Sequence, residues 1–490
     1  MKDLIQNSVH FILLIVFFIL NAWNNYFELV SLISVIKTIT IVFFSFFVLF
    51  YCLSKFTGNF LKSGIFTFSI AFLTLFFSLI KNTSNLIAGK ELRFQDQVLV
   101  LIICLFFILL VLKLMKGNIK IFVNYLSFLL LILVLVEFVK IIVNSTKQKK
   151  VEPITFLAEN VINKKPEKLP SVYLIVLDEY AGKTSLKNNY SFSNDVFLDS
   201  LKKHDFRVLE NTNSNYKYTL LSMNSTFNGE YLKFSHGSES YTHKGYNQAL
   251  VGLNSNKTTA TFQQLGYKII NYSPFLLNEM KPAYKDRFVP SGELLLLFPS
   301  IYDDFSELIL PYLARVFNSK KMIGFIYSAK SSVYSDLLNK SCLLGKKDSL
   351  TPLFCYVHLM MPHGPYVFDE TGNYNYDYLL KKTVTQSDNQ KAYLQYLVYT
   401  NKVILQYINK LKKATDNKAI IILMSDHGSR ENILNKKESE KFDCLNAIYY
   451  PGKTSGGWYD GMSNINQFRI LFSEISHTSI PLMKDSIISK

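Results

Sequence analysis

The sequence predicts a two-part protein: an N-terminal helical membrane domain of about five spans, then an α/β domain with a mainly parallel central sheet. Three observations predict it. Of the 490 residues 49% are hydrophobic, 40 of them phenylalanine, and the apolar content is concentrated before residue 145. The rest of the chain has ordinary globular composition and a length that suits one large domain. Within it two aliphatic runs far apart in the chain, Val172-Tyr-Leu-Ile-Val-Leu177 and Ile420-Ile-Ile-Leu-Met424, each end abruptly in candidate ligands. Such runs read as buried parallel strands, and ligands sit at the carboxyl ends of such strands. The expected boundaries are 1–144 for the membrane domain, 145–170 for a linker and 171–490 for the second domain.

Five apolar stretches, about 9–23, 36–53, 64–80, 97–115 and 121–143, each approach the roughly 20 residues that cross a hydrocarbon core. The first has a weak basic leader and no A-x-A site, and four similar runs come after it, so it reads as a retained helix. Lys55 and Lys62 flank the second loop and Lys113, Lys116 and Lys120 the fourth, whereas the loop near 24–35 has no Lys or Arg. Alternate loops are therefore basic, which puts the N-terminus inside and, after five crossings, the second domain outside. His10 and Glu137 lie near span ends, where snorkelling to the interface is expected.

The linker is polar and Pro-punctuated, with Lys164-Lys-Pro-Glu-Lys-Leu-Pro170 near its end. Apolar residues from Ile154 to Ile162 recur at helical spacing and predict a short helix on the membrane surface. The net charge of +16 is scattered, with no basic helix interleaved with aromatics. That excludes a nucleic-acid partner and fits anionic lipid head groups instead. The five cysteines show no CxxC pattern, and Cys355 and Cys444 sit in strand-like runs as small core residues.

In the second domain the first aliphatic run delivers Asp178 and Glu179, and the second delivers Asp426 and His427 within Ser425-Asp-His-Gly428. An isolated Asp-His-Gly is most simply a capping Asp beside a surface His. Two distant strands that both end in metal-ligand types favour a divalent-metal site. Helical and strand patterns alternate between them: an amphipathic segment at Phe197–Phe206 before Arg207-Val-Leu209, a helix at Thr258–Leu265 before Tyr267–Tyr272, and a long helix over about 389–414. Alternation of this kind implies a sheet covered on both faces. The segment Asn215-Tyr-Lys-Tyr-Thr-Leu-Leu-Ser-Met223 turns helical at Thr219. On the residues alone Thr219 reads first as an N-cap, and Ser222 serves equally well as a nucleophile. Phe354 to Tyr366 is another strand running into a ligand-like loop; His363 stands between two prolines, and His358, inside the strand, reads as a packed core histidine.

The acidic strand end, the Tyr-x-x-Thr-x-x-Ser segment, the Pro-His-Gly-Pro loop and Ser-Asp-His-Gly, in that order, resemble the sulfatase and alkaline-phosphatase superfamily. With the five-span anchor, the chain looks most similar to the membrane branch that contains the lipoteichoic-acid synthases and lipid A phosphoethanolamine transferases. The resemblance implies an alkaline-phosphatase-like fold, and one divalent metal, zinc or manganese. It implies Glu179, Asp426 and His427 as metal ligands, Asp178 as an additional acid, Thr219 as nucleophile and His363 as a group that binds the transferred phosphate or protonates the leaving group. The tail Asn464-Ile-Asn-Gln-Phe-Arg469 is similar too and is assigned to packing. Formylglycine-forming sulfatases carry Cys or Ser in C/S-x-P-x-R, and Tyr218-Thr-Leu-Leu-Ser-Met223 has neither the Pro nor the Arg.

The implied activity is transfer of a phospho-head group, phosphoethanolamine or phosphoglycerol in type, from a membrane phospholipid donor to an envelope glycan or lipid acceptor through phospho-Thr219. The site would lie on the periplasmic or extracellular side of a multi-pass plasma-membrane protein. The alternatives are a sulfatase-like hydrolase that uses water as acceptor, and a non-catalytic envelope-assembly protein.

Overall fold

In the computed structural model the chain forms two units, Met1–Val151 with Pro290–Leu310 and Glu152–Val289 with Pro311–Lys490. The structure describes residues 7–92, 94–114, 119–147, 154–158, 168–233, 243–286, 292–304, 309–345, 351–431, 437–452 and 456–489. The linker expected at 145–170 lies largely outside the described residues.

All five apolar runs are helical: α1 (Val9–Asn25), α2 (Leu32–Thr57), α3 (Phe60–Leu75) with α4 (Phe77–Ala88), α5 (Phe94–Leu114) and α6 (Ile119–Lys147). Among the described residues two helices, Leu32–Thr57 and Ile119–Thr146, are long and apolar enough to cross a membrane. The pair α3 and α4, bent by 67°, makes a third if it acts as one span. Phe11, Leu14, Ile15 and Ile19 of α1 are buried, whereas Ile33 and Phe44 of α2 and Phe128 and Val139 of α6 face outward. Apolar side chains on the outside of a helical unit suit hydrocarbon and not water.

His10 and Glu137 do not snorkel. His10 is fully buried against Gly64 and Phe68. Glu137 is buried where α1 packs along α6; it accepts from the amides of Asn21 (3.2 Å) and Asn24 (2.7 Å) and pairs with Lys140 at 2.7 Å. The two amides of α1 replace the water that the sequence alone would assign to it. Glu137→Ala is expected to lower the thermal midpoint of the detergent-solubilised protein, by the equivalent of about 2–4 kcal/mol, because three donors lose their acceptor. An unchanged midpoint would return Glu137 to the interface.

The segment Pro290–Leu310 falls inside the range expected for the second domain, yet it folds with the helices. Its short helix Glu293–Leu297 buries Leu295 and Leu296, Glu293 pairs with Lys37, and the Pro299 carbonyl accepts from the Ser78 N–H. Four consecutive leucines there need an apolar partner, and the bundle supplies one.

Among the described residues the second unit has six strands: β1 (Val172–Leu177), β2 (Arg207–Val208), β3 (Lys268–Tyr272), β4 (Leu353–Leu359), β5 (Ile420–Ser425) and β6 (Asn446–Tyr449), in spatial order β2-β6-β5-β1-β4-β3. The pairs β3–β4, β4–β1 and β1–β5 are parallel, and β6 runs against both its neighbours. Every residue of β1, β4 and β5 is buried, which is why these strands read as continuous rather than alternating apolar runs. The helix Gln386–Ala414, opened by a Thr385/Asp388 capping box, lays Tyr393, Tyr396, Leu397, Ile404 and Ile408 on one face. Alternate strand residues supply the other face, where Phe262 stacks on Phe354 at 4.1 Å and Phe227 meets Tyr356 and Phe468.

Residues 154–158 are irregular, not helical. Phe156 meets the Phe472 ring at 5.4 Å and its N–H donates to Thr261, so this stretch packs within the second unit; residues 159–162 lie outside the described residues. Cys355 and Cys444 are buried and unpaired, as expected for small core residues, and Cys342 is buried with them.

Candidate active site

The register of the sheet builds the site. Leu177 of β1 is level with Ser425 of β5 and with Leu359 of β4, so Asp178 and Asp426 leave adjacent strands side by side. A continued strand would send Glu179 to the opposite face from Asp178. Glu179 instead takes a left-handed conformation, φ 61°, which a side-chain-bearing residue adopts only when held there. Its N–H donates to Asp426 Oδ1 (3.0 Å), its carbonyl accepts from the Tyr393 hydroxyl (3.0 Å), and the next N–H donates to Ser425 Oγ (3.0 Å). Both carboxylates thereby reach one histidine: His363 Nε2 is 3.9 Å from Asp178 and 3.6 Å from Glu179.

Thr219 is the first residue of the helix Thr219–Asn228, and the cap position belongs to Tyr218. The N-cap reading of Thr219 therefore fails, and its hydroxyl serves the site. That hydroxyl lies 3.1 Å from Asp178 Oδ2 and 3.2 Å from His427 Nε2, at a helix N-terminus whose free N–H groups favour an anion. Ser222 is committed elsewhere: its hydroxyl donates to the Asp426 carbonyl at 2.6 Å.

Hydrogen bonds fix how each histidine is oriented. His427 Nδ1 donates to the Gly428 carbonyl (2.8 Å), leaving a lone pair on Nε2, and burial drops its pKa to about 3. His363 Nδ1 likewise donates to the Gly364 carbonyl (2.6 Å), and its Nε2 accepts from Arg430 Nη2 (2.7 Å). His358, expected to be a packed core residue, is buried but is also wired to the site. Its Nε2 stands 3.3 Å from Asp178 Oδ2 and its Nδ1 meets the Tyr356 hydroxyl at 2.7 Å, with burial lowering its pKa to about 4.

Burial, reinforced by the nearby Asp426, pushes the Asp178 carboxyl well above the usual range. Burial acts on Glu179 in the same sense, but His363, Arg430 and His427 together hold it below the usual range. Arg430 makes this possible: its N–H donates to Glu179 Oε1 at 2.6 Å and its guanidinium lies 3.6 Å from the same oxygen. Sequence reading missed Arg430, whose only signal is a basic residue three positions past His427. It missed the role of His358 because a histidine within an aliphatic strand looks the same whether it is packing or wired to an acid.

Three carboxyl groups face one guanidinium, and burial keeps the imidazoles of His358 and His427 neutral, which leaves the centre short of positive charge. Among the described residues Asp178 Oδ1 and Asp426 Oδ2 are buried with no hydrogen-bond partner. Orphaned carboxylate oxygens are costly unless a cation meets them. Two triads hold their ligand atoms within 4.8 Å of one another, Asp178–Glu179–His363 and Asp178–His358–Asp426; His427 adjoins the second through Asp426 at 3.3 Å. The structure thus gathers all six residues expected at the site, Asp178, Glu179, Thr219, His363, Asp426 and His427, and adds His358. The set of oxygen and nitrogen ligands fits a divalent ion. Glu179, Tyr218, His363, Tyr366 and Arg430 line an open cleft of about 650 Å³ over it.

A sulfatase family model matches residues 188–470. Among solved structures, the Zn complex of the C-terminal periplasmic domain of EptC from Escherichia coli matches at 14% identity, over 66% of this chain and 90% of that one, with a TM-score of 0.39. The periplasmic domain of phosphoethanolamine transferase EptC from Campylobacter jejuni matches at 13%, over 62% and 89%, with a TM-score of 0.35. Phosphonate monoester hydrolase of Agrobacterium radiobacter matches at 12%, over 63% and 74%, with a TM-score of 0.37. Among curated proteins there is no match.

Proposed function

This chain belongs to the sulfatase family, and on that premise we propose that it is a membrane-anchored, metal-dependent transferase. It moves a phosphoethanolamine- or phosphoglycerol-type head group from a phospholipid to an envelope glycan or lipid. The observation that carries this reading is the Thr219 hydroxyl, seated at a helix N-terminus between Asp178 and His427 beside two orphaned carboxylate oxygens. A threonine cannot become the aldehyde hydrate on which formylglycine sulfatases depend, whereas its alkoxide can take a phosphoryl group. The apolar N-terminal helices support an anchor, which suits a donor that cannot leave the bilayer. In this reading the five apolar runs make five crossings, 171 onward faces the periplasm or exterior, and the protein is multi-pass.

Asp178, Glu179, Asp426 and His427 would hold one divalent ion, zinc or manganese, with His358 steadying Asp178. Bound there, the ion supplies Lewis-acid stabilisation of charge on phosphorus oxygens and a lowered pKa for a nearby hydroxyl. Asp178 Oδ2 takes the Thr219 proton; the freed oxygen attacks phosphorus in line, and the bond to the diacylglycerol oxygen breaks. Arg430 faces the cleft and binds the non-bridging oxygens, His363 Nε2 holds its guanidinium in place, and the departing diacylglycerol oxygen takes its proton from water. An acceptor hydroxyl then attacks phospho-Thr219 and loses its proton to solvent, and the freed Thr219 oxygen recovers its own from Asp178 Oδ2.

Product analysis with a radiolabelled head-group donor tests this. Label on an added glycan or lipid acceptor supports transfer, while free head group regardless of acceptor would make the protein a hydrolase. Arg430→Ala is expected to reduce kcat/KM by about 10²-fold, with Arg430→Lys recovering only part, because the fork that meets both an oxyanion and Glu179 is lost. An unchanged KM and kcat would remove Arg430 from the site.

A further inference from the structure

We propose that the extended segment 480–488 is a strap that positions the Asp426–His427 loop against the Thr219 loop, with Asp485 as its anchoring residue. The proposal rests on the reading of Asp426 and His427 as groups that hold a cation.

The strap leaves the helix Gln467–Ser476 and turns back across residues 463–466. Asp485 Oδ1 accepts from the Ser463 N–H (2.7 Å), the Ser463 hydroxyl (2.7 Å) and Asn466 Nδ2 (3.1 Å), and its Oδ2 accepts from the Tyr459 hydroxyl (2.7 Å). Asn466 also exchanges hydrogen bonds with the backbone of Met483, at 2.8 and 2.9 Å. Between these two anchors, Ser463 and Asn466, stands Asn464, fully buried, whose side-chain amide donates to the carbonyls of Ser425 (3.0 Å) and Asp426 (3.3 Å). The Asp426 carbonyl takes Ser222 as well, so the backbone that carries the ligand is fixed from both sides.

The same strap reaches the nucleophile's loop. Asn215, four residues before Thr219, donates through Nδ2 to the Ser486 carbonyl (2.8 Å) and to Ser463 Oγ (3.0 Å); its carbonyl accepts from the Ile488 N–H (2.9 Å). Its Oδ1 accepts from the Ile465 N–H at 2.8 Å. One segment therefore ties together the two stretches that must hold a hydroxyl and a metal ligand in register. A site of this kind tolerates errors of only about half an ångström, and this sets the strap apart from ordinary surface packing. Asp485 touches neither substrate nor ion; it is a positioning residue.

The test is titration of Zn²⁺ and Mn²⁺, each alone, into the full chain in detergent by calorimetry, with amide exchange read at 425–428. D485A is expected to weaken binding of the preferred ion about tenfold and to speed exchange at that loop. D485N should recover most of the affinity, since an amide oxygen still accepts from Ser463 and the Tyr459 hydroxyl can turn to accept. N464A should weaken binding comparably, and D485A with N464A should be no worse than either alone, the mark of one shared route. Wild-type affinity and protection in D485A, even with a lower Tm, would overturn the strap, as would full additivity of the two changes. A wild-type chain that binds neither ion would instead overturn the cation reading beneath it.

Discussion

Replacing Thr219 with alanine is expected to remove turnover by on the order of 10⁴-fold or more while the second unit stays folded. The hydroxyl is the only part of the side chain that faces Asp178 and His427, and neither neighbour can serve in its place. His427 has its lone pair turned to the site but is buried among the ligands, and Asp178 accepts rather than attacks. The cost to stability is small because Thr219 is not the cap of its helix; Tyr218 is, and Tyr218 makes no side-chain cap bond. Removing the hydroxyl should even relieve a crowded polar centre, so a Tm at or slightly above wild type is expected. Thr219→Ser should keep measurable activity. Head-group transfer and a thermal melt on the same preparations decide the matter. If T219A still turns over, the nucleophile lies elsewhere, and Ser222 is the first place to look. S222A separates the two: with its hydroxyl committed to the Asp426 carbonyl it should lose stability and metal affinity together, not the phosphorylated intermediate.

The centre of this fold was legible because its strands are buried on both faces. Val172–Leu177, Leu353–Leu359 and Ile420–Ser425 are dominated by buried apolar residues, His358 excepted, and each run ends where the backbone must meet polar partners. That pattern gave Asp178, Glu179, Asp426 and His427 as candidates; the order of the motifs, through a family resemblance, gave Thr219 and His363. Position in three dimensions was not legible. Nothing in the local sequence distinguishes Asn464 bonded to the Asp426 carbonyl from an asparagine in packing, and the assignment of that tail to packing missed its link to the metal loop. β6, four residues reversed in an otherwise co-directed sheet, is too short to leave a periodic signal. In the helical unit the apolar runs marked where helices form, but not the 67° bend between Leu75 and Phe77, where no Pro or Gly stands. Glu137 failed for a related reason: its partners Asn21 and Asn24 are more than a hundred residues away.

Stripping the divalent ion with a chelator should abolish activity, lower the Tm and make reloading depend on pH in a definite direction. Without the ion, burial and the neighbouring Asp426 keep the Asp178 carboxyl well above its ordinary range, so it holds a proton under conditions where an exposed aspartate would not. A cation entering beside Asp178 Oδ1 and Asp426 Oδ2 must displace that proton. His427 contributes little to the exchange, because burial has already left it neutral with no proton on Nε2. Metal affinity should therefore rise as pH rises, by about tenfold per pH unit for one displaced proton, and level off above the raised Asp178 pKa. Calorimetry in two buffers of different ionisation enthalpy reads the proton release directly. Occupancy at 100 times the Kd would add about 2.7 kcal/mol of stability, visible as a higher Tm that chelation reverses. In Asp178→Asn the displaced proton is gone, so binding should weaken and lose its pH slope together. If the slope persists in that variant, the proton comes from another group and Asp178 is not the acid that the ion neutralises. If wild type shows no slope, Asp178 was ionised from the start, and the two orphaned carboxylate oxygens would have to share uncompensated charge in a buried site, which the arrangement around them does not support.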